Sequence, residues 1–164
     1  MIYLIGFMGA GKTTIAKRIA AETELIFFDL DYEIEKKEKR TISSIFTNDG
    51  EDCFRKLETD MLMHLQASGI IATGGGIVES LKNRSYLRNE SELCIWLNTP
   101  WKMIESRIMH TNRPLAQNKT PESLYNLWQK RLPLYSQTAH TICQSYSEIS
   151  DIVSYFITKK RAGV

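Results

Sequence analysis

The residues from Gly6 to Thr13 read Gly-Phe-Met-Gly-Ala-Gly-Lys-Thr, which is the complete pattern GxxxxGK[ST]. In such a loop the glycines allow backbone N–H groups to surround a phosphate, Lys12 reaches the terminal phosphates, and the Thr13 hydroxyl is placed to bind Mg²⁺. The apolar run Ile2–Ile5 precedes the pattern and an amphipathic segment follows it. This strand–loop–helix context predicts a nucleotide site whose phosphates face a helix N-terminus.

Two acidic residues, Asp29 and Asp31, come directly after the apolar run Leu25–Phe28. They can project from the carboxyl end of a strand toward the phosphate loop. Carboxylates at this place can hold a metal ion, and they can orient an attacking hydroxyl or accept its proton. Either residue could instead cap the next helix, and a cap could still serve the chemistry.

Arg55 and Glu58 are three residues apart on a predicted helix over Asp52–Leu65. At this spacing, a surface ion pair worth about 0.3 kcal/mol is the simplest interpretation. Phe46 and Phe54 lie close to Arg55 in the sequence, so they could wall a small substrate pocket as well as fill a core.

Arg131 continues an apolar stripe at helical spacing, which predicts that its guanidinium faces the interior. A guanidinium on that side needs an anion, and its planar fork suits a carboxylate or a phosphate held at two points. Pro133 predicts that the helix kinks or ends there. The stripe consists of Leu124, Leu127 and Trp128.

Three consecutive glycines, Gly74, Gly75 and Gly76, follow the predicted strand Ile70–Thr73. Bare backbone N–H groups could approach a ligand closely at this point. The strand does not close with the acidic residue of a Walker B motif, so metal support is expected from Asp29. The chain also has no Asn-Lys-x-Asp motif, and this excludes the switch-type GTPases.

Short apolar runs alternate with helical patterns along the whole chain, which predicts a parallel sheet wrapped by helices on both faces. Ligands bind beyond the carboxyl ends of the strands in such folds. The last run is the weakest strand candidate. The runs are Ile2–Ile5, Leu25–Phe28, Ile70–Ala72, Leu93–Leu97 and Thr141–Cys143.

A polar segment, His110–Lys119, separates two predicted helices and contains Arg113. The helix before it is marked by Thr99-Pro100 and the helix after it by Thr120-Pro121, each a capping residue followed by proline. We expect the polar segment to be a mobile loop.

The chain has 164 residues, of which 43% are hydrophobic and 24% charged, and this fits one domain over residues 1–164. A formal net charge of +2 is too small to indicate nucleic acid. No apolar run approaches the roughly 20 residues of a membrane helix. Because no basic leader precedes an apolar segment, a cytoplasmic location is expected. We expect a monomer.

The cysteines and histidines are scattered, without CxxC or HExxH spacing, so neither a zinc site nor a disulfide framework is predicted. These residues are Cys53, Cys94, Cys143, His64, His110 and His140.

Taken in order, six motifs between Ile2 and about Tyr135 resemble the shikimate kinase family. A phosphate loop alone is common to thousands of proteins, but its combination with FRxxE, GGG and RxPLY is highly specific. The motifs are Leu-Ile-Gly-Phe-Met-Gly-Ala-Gly-Lys-Thr-Thr, Phe-Phe-Asp-Leu-Asp, Asp-Gly-Glu-x-x-Phe-Arg-x-x-Glu, Ala-Thr-Gly-Gly-Gly, Asn-Arg-Pro-Leu and Lys-Arg-x-Pro-Leu-Tyr.

The resemblance implies a three-layer α/β/α fold like that of nucleoside monophosphate kinases, with a five-stranded parallel sheet. It also implies a lid at about 109–120 and a substrate-binding region at about 31–60. The implied reaction transfers the γ-phosphoryl group of ATP to the 3-hydroxyl of shikimate, with Mg²⁺, in the pathway to chorismate and aromatic amino acids.

The resemblance also implies roles for individual residues. Arg55 and Arg131 match the pair that clamps the shikimate carboxylate, and Asp31 matches the carboxylate that orients the nucleophile. Gly75 and Gly76 match backbone contacts to the substrate. Gly74, Phe46 and Phe54 are substrate contacts predicted from the residues themselves. The implied ATP contacts are Gly9, Ala10, Gly11, Lys12, Thr13, Thr14, the adenine-side Arg107 and the lid arginine Arg113. The implied metal residues are Thr13 and Asp29, and the implied catalytic residues are Lys12, Asp31 and Arg113.

Two other functions fit parts of the same pattern. A kinase directed at gluconate or at a nucleotide would use the same fold, and would phosphorylate those acceptors but not shikimate. A nucleotide-binding module without catalysis, acting through its lid, would bind ATP and form no phosphorylated product. The module without catalysis is the less favoured interpretation, because the chain contains the full set of residues predicted for phosphoryl transfer. The segment Gln144–Ser147 lacks the proline that many family members place in the adenine loop.

Overall fold

The computed structural model describes residues 1–65, 68–108 and 120–162. The centre of the fold is a five-stranded sheet in which every neighbouring pair of strands is parallel. The strand order is β2-β3-β1-β4-β5, which confirms the predicted sheet, including its weakest strand. The strands are β1 (Ile2–Ile5), β2 (Ile26–Asp29), β3 (Gly69–Ala72), β4 (Leu93–Leu97) and β5 (Thr141–Cys143).

Seven helices of the described part surround the sheet, and a 3₁₀ turn, Ile77–Glu79, follows the glycines after β3. Within these residues, no helix has the combination of length and apolar character that a bilayer crossing requires. The helices are α1 (Lys12–Thr23), α2 (Leu30–Glu38), α3 (Ile42–His64), α4 (Leu81–Leu87), α5 (Trp101–Ile108), α6 (Pro121–Thr138) and α7 (Tyr146–Arg161).

The sheet has a separate hydrophobic core on each face, as the side-chain alternation of a strand requires. In β1, Tyr3 and Ile5 pack into a cluster with residues of α2, α3 and α6, whereas Ile2 and Leu4 pack into a cluster with α1 and α7. All four of these side chains are buried. The predicted three-layer α/β/α architecture is therefore present.

Helix α3 contains a break at Gly50, whose backbone has φ 84° and ψ 171°. The first segment, 42–49, begins at Thr41, whose hydroxyl accepts the Ser44 N–H at 3.1 Å. The second segment, 51–64, carries Arg55. The sequence prediction began this helix at Asp52 and missed the first segment, which Gly50 separates from the second.

Of the two outcomes predicted at Pro133, a kink or an end of the helix, the end is wrong, since α6 continues through this residue to Thr138. Pro133 lies on the exposed side of the helix, where the carbonyl that loses its partner can be hydrated. On the opposite side, Arg131, Tyr135 and Thr138 are buried, and their packing holds the last turns in place.

The two predicted helix starts have different outcomes. Thr120 caps α6 through the Ser123 N–H at 3.2 Å, with Pro121 in the first turn, as predicted. The Thr99 hydroxyl instead donates to the Ala10 carbonyl at 3.0 Å, so it ties β4 to the phosphate loop.

Candidate active site

The phosphate loop connects β1 to α1, and the side chain of Lys12 contacts the backbone of this loop. Gly11 is the N-terminal flanking residue of α1 with φ 105°, a conformation that favours glycine. The Lys12 ammonium donates to the carbonyls of Gly6 at 2.8 Å and Phe7 at 3.0 Å. The loop and its cation are thereby held in a compact arrangement at the end of β1.

Asp29 caps a helix and also contacts the residue that ends the phosphate loop motif. One carboxylate oxygen accepts the N–H groups of Asp31 at 3.1 Å and Tyr32 at 3.4 Å, and so caps α2. The other oxygen accepts the Thr13 hydroxyl at 2.8 Å. A carboxylate oxygen and a hydroxyl oxygen from separate elements therefore meet beside the phosphate loop.

A cavity of about 440 Å³ lies beside this loop, and we call it the phosphate cavity. Residues 9–15 form much of its lining, together with Asp29, Asp31, Thr73 and Arg107. The Arg107 guanidinium donates to the carbonyls of Gly9 at 3.0 Å and Ala10 at 3.1 Å. The structure thus brings together the predicted ATP contacts, apart from Arg113, which lies outside the described residues.

A second cavity, of about 290 Å³, is enclosed by α2, α3, the three glycines and α6, and we call it the acceptor cavity. Its walls contain the residues predicted to contact substrate: Asp31, Phe46, Phe54, Arg55, Gly74, Gly75, Gly76 and Arg131. The two phenylalanine rings lie 4.9 Å apart between centroids and form an apolar wall.

Asp31 lines both cavities. It lies in the first turn of α2, directly after the strand that carries Asp29. A small molecule in the acceptor cavity and a triphosphate in the phosphate cavity would therefore share this one carboxylate.

Arg131 is 1% exposed, which agrees with the prediction of an inward-facing guanidinium that needs an anion. The anion is Glu79. Its Oε1 lies 2.9 Å from Arg131 Nε and 2.8 Å from Arg131 Nη2. Arg131 Nη1 also donates to the Gly75 carbonyl at 3.3 Å.

Arg55 and Glu58 do form the ion pair that their spacing allows, with 2.8 Å between Nη1 and Oε2, but it is not on the surface. The Glu58 side chain is fully buried and that of Arg55 is 17% exposed. Burial raises the pKa of Glu58 to about 7, although the Arg55 charge opposes the rise. A second carboxylate, Glu51, holds Arg55 Nη2 at 2.8 Å from the more exposed side.

The three glycines allow charged groups to lie against bare backbone. A Cβ on Gly76 would lie 2.3 Å from Arg55 Nη2, and one on Gly74 would lie 2.2 Å from Glu58 Oε1. Side chains at these positions would displace the ion pair from the cavity wall.

Comparisons with known proteins agree with this geometry. The family model for shikimate kinase matches residues 8–160. The shikimate kinase of Dictyoglomus turgidum is 41% identical over 163 residues, covering 95% of this chain and 94% of the relative. That of Staphylococcus aureus is 45% identical over 140 residues, covering 84% and 80%.

A solved structure, a shikimate kinase from Acinetobacter baumannii in complex with shikimate, superposes with a TM-score of 0.87. It is 35% identical, and the match covers 97% of this chain and 93% of that one. The chain belongs to the shikimate kinase family. It is therefore an ATP-dependent kinase, a phosphotransferase with an alcohol acceptor, and its family acts in the pathway to aromatic amino acids.

Several residues of the site were not identified from the sequence. Glu79 lies three residues after the glycines and carries no motif of its own. Tyr135 is the last residue of the RxPLY motif, but its contacts are visible only in the fold. Its ring stacks on Trp96 with centroids 5.7 Å apart, and its hydroxyl donates to the Gly75 carbonyl. Further lining residues of the acceptor cavity that were not predicted are Met8, Glu35, Thr41, Ile42 and Ser43.

Proposed function

We propose that this chain transfers the γ-phosphoryl group of ATP to the 3-hydroxyl of shikimate, with the acceptor in the acceptor cavity and the ATP phosphates in the phosphate cavity. The observation that carries this assignment is the position of Asp31, which borders both cavities. A group at this border can contact the attacking hydroxyl while the donor lies beside it.

The acceptor cavity suits a small ring acid. Its volume of about 290 Å³ is at the lower end of the range of ligand pockets, roughly 300–1,000 Å³. Arg55 and Arg131 supply two guanidinium forks for a carboxylate, and Phe46 and Phe54 supply an apolar wall for the ring. Backbone N–H groups at Gly75 and Gly76 can approach the acceptor without steric obstruction.

In the transfer step, the shikimate 3-hydroxyl oxygen forms a bond to the γ-phosphorus while the bond to the bridging oxygen of ADP breaks. Asp31 orients this hydroxyl and is the carboxylate best placed to accept its proton. Lys12 neutralises charge that develops on the phosphoryl oxygens. Arg113 is predicted to do the same from the lid, and it lies outside the described residues.

The residues beside the loop fit a magnesium ion. The Thr13 hydroxyl and an Asp29 carboxylate oxygen are 2.8 Å apart, and both are the hard oxygen ligands that Mg²⁺ prefers. The described residues contain no group of three or more His, Cys, Asp or Glu arranged for a metal. This agrees with an ion that takes one or two protein ligands and completes its shell with phosphates and water. When bound, Mg²⁺ would neutralise phosphate charge.

We also propose that the chain works as a monomer in the cytoplasm, with ATP and shikimate as its partners and without a nucleic-acid or membrane partner. A formal net charge of +2 supports the absence of a polyanion partner.

A coupled assay of ADP release tests the proposal. Purified protein with Mg·ATP should release ADP when shikimate is added and form shikimate 3-phosphate. Gluconate, nucleoside monophosphates and other hydroxy acids serve as matched acceptors. Turnover with these compounds but not with shikimate would favour the related kinase activities, and ATP binding with no phosphorylated product would favour a module without catalysis.

A further inference from the structure

Glu79 contacts both arginines of the acceptor cavity, although it is not part of the cavity wall. Its Oε1 pairs with Arg131, and its Oε2 lies 4.0 Å from Arg55 Nε. One carboxylate from the 3₁₀ turn thus links a guanidinium of α3 to a guanidinium of α6. Its side chain is 36% exposed, whereas that of Arg131 is 2% exposed.

Glu79 binds only one edge of the Arg131 guanidinium. Glu79 contacts the Nε and Nη2 atoms, and the Gly75 carbonyl accepts from Nη1. A guanidinium has five N–H donors, so hydrogens on Nη1 and Nη2 remain for a ligand. Arg131 lines the acceptor cavity and Glu79 is not among its lining residues, so Glu79 contacts the guanidinium from outside the cavity wall. It therefore fixes the guanidinium plane without occupying the space of an acceptor.

We propose that Glu79 is a positioning residue, an inference that rests on the proposed function. Glu79 orients Arg131 so that the free edge of the guanidinium meets the carboxylate of the acceptor. A planar fork forms two parallel hydrogen bonds only when its plane is fixed. Glu79 acts through Arg131 and makes no contact with the reacting atoms.

The expected signature is a change in acceptor binding without a change in the chemical step. Glu79→Ala should raise the KM for shikimate roughly tenfold and leave kcat and the KM for ATP unchanged, since Arg131 binds the acceptor equally in the ground and transition states. Glu79→Gln keeps an oxygen at the Oε1 position, so its KM should stay within about threefold of the wild type. Glu79→Asp keeps the charge but shortens the reach, and should resemble Glu79→Ala.

The experiment measures shikimate affinity by titration calorimetry beside steady-state kinetics, in the wild type and these variants. Glu90→Ala is the control, because Glu90 is an exposed glutamate in the turn after α4. Equal shikimate affinity in Glu79→Ala and the wild type would overturn the proposal, and tighter binding would show that Glu79 competes with the acceptor. A lower melting temperature with unchanged affinity in Glu79→Ala and Glu79→Asp would reduce Glu79 to a structural ion pair.

The same data separate this inference from the proposed function. If the wild type turns over shikimate and the variants do not differ, only the role of Glu79 fails. If the wild type neither binds nor phosphorylates shikimate, the proposed function fails, and the role of Glu79 fails with it.

Discussion

The phosphate cavity takes much of its lining from residues 9–15, whereas the acceptor cavity draws on α2, α3, the glycine turn and α6. The first is built largely from one stretch of chain and its backbone groups. The second is built from side chains of distant segments, held by buried ion pairs. A single motif can therefore reveal the donor site, but the acceptor site exists only after the sheet has brought its parts together.

Asp31→Asn should have the largest effect, because Asp31 is the residue that joins the two cavities. An amide cannot accept the hydroxyl proton, so kcat should fall about 10³-fold. ATP affinity and the circular dichroism spectrum should remain those of the wild type. Turnover near the normal rate would contradict the role proposed for Asp31 at the border of the two cavities.

Thr13→Ala should affect only the phosphate cavity. The substitution removes one of two oxygens that fit the metal, so the KM for Mg·ATP should rise on the order of 10²-fold. The dissociation constant of shikimate, measured by calorimetry without nucleotide, should not change. A parallel loss of shikimate affinity would show that the two cavities are not independent.

Arg131→Lys should affect only the acceptor cavity. A lysine keeps the charge but loses the fork, and it leaves Glu79 and the Gly75 carbonyl with fewer donors. We expect the KM for shikimate to rise about 30-fold, equivalent to about 2 kcal/mol. ATP affinity serves as the internal control, and an unchanged KM for shikimate would contradict the carboxylate assignment.

Two glycine substitutions distinguish a local change in the acceptor cavity from general destabilisation. In Gly76→Ala the new Cβ meets the end of Arg55 and displaces it from Glu58, so the KM for shikimate should rise roughly tenfold, with some loss of stability from the weakened ion pair. In Gly69→Ala the Cβ would lie 2.3 Å from the Ile26 carbonyl oxygen of the neighbouring strand. This variant should lose about 2 kcal/mol of stability with an unchanged KM. Kinetics and urea unfolding of both variants test the distinction.

A pH dependence that affects stability and not substrate binding should arise at Glu58. Its pKa is raised to about 7 in the folded protein, mainly by burial. Between the ordinary glutamate pKa and about 7, the folded state binds more protons than the unfolded state, so this group makes stability fall as the pH rises. Glu58→Gln should reduce the loss in unfolding free energy between about pH 5 and pH 8 by on the order of 2 kcal/mol. An identical pH dependence in both proteins would contradict the raised pKa.

The sequence predicted the parts of the molecule that depend on local chemistry. The phosphate loop is contiguous, and the inward direction of Arg131 follows from helical spacing alone. The sheet followed from short apolar runs, which are typical of the strands of a parallel sheet covered by helices on both faces.

The remaining features depend on distances between elements. Arg131 and Glu79 are 52 residues apart, and only the packing of α6 against the 3₁₀ turn brings them together. The Thr99 hydroxyl satisfies a loop carbonyl instead of its own helix for the same reason. At Pro133 the expected end of the helix does not occur, because the buried residues on the other side of α6 hold the helix together.

The break at Gly50 has a consequence for how acceptor preference can change. A continuous helix of this length would extend roughly 35 Å in one direction and could form one wall only. With the bend, segment 42–49 contributes Phe46 while segment 51–64 contributes Arg55. Phe54 also lies on the second segment, so exchanging the first segment would change one ring of the apolar wall, and with it the preference for ring shape, while Arg55 and its contact with the acid group are retained.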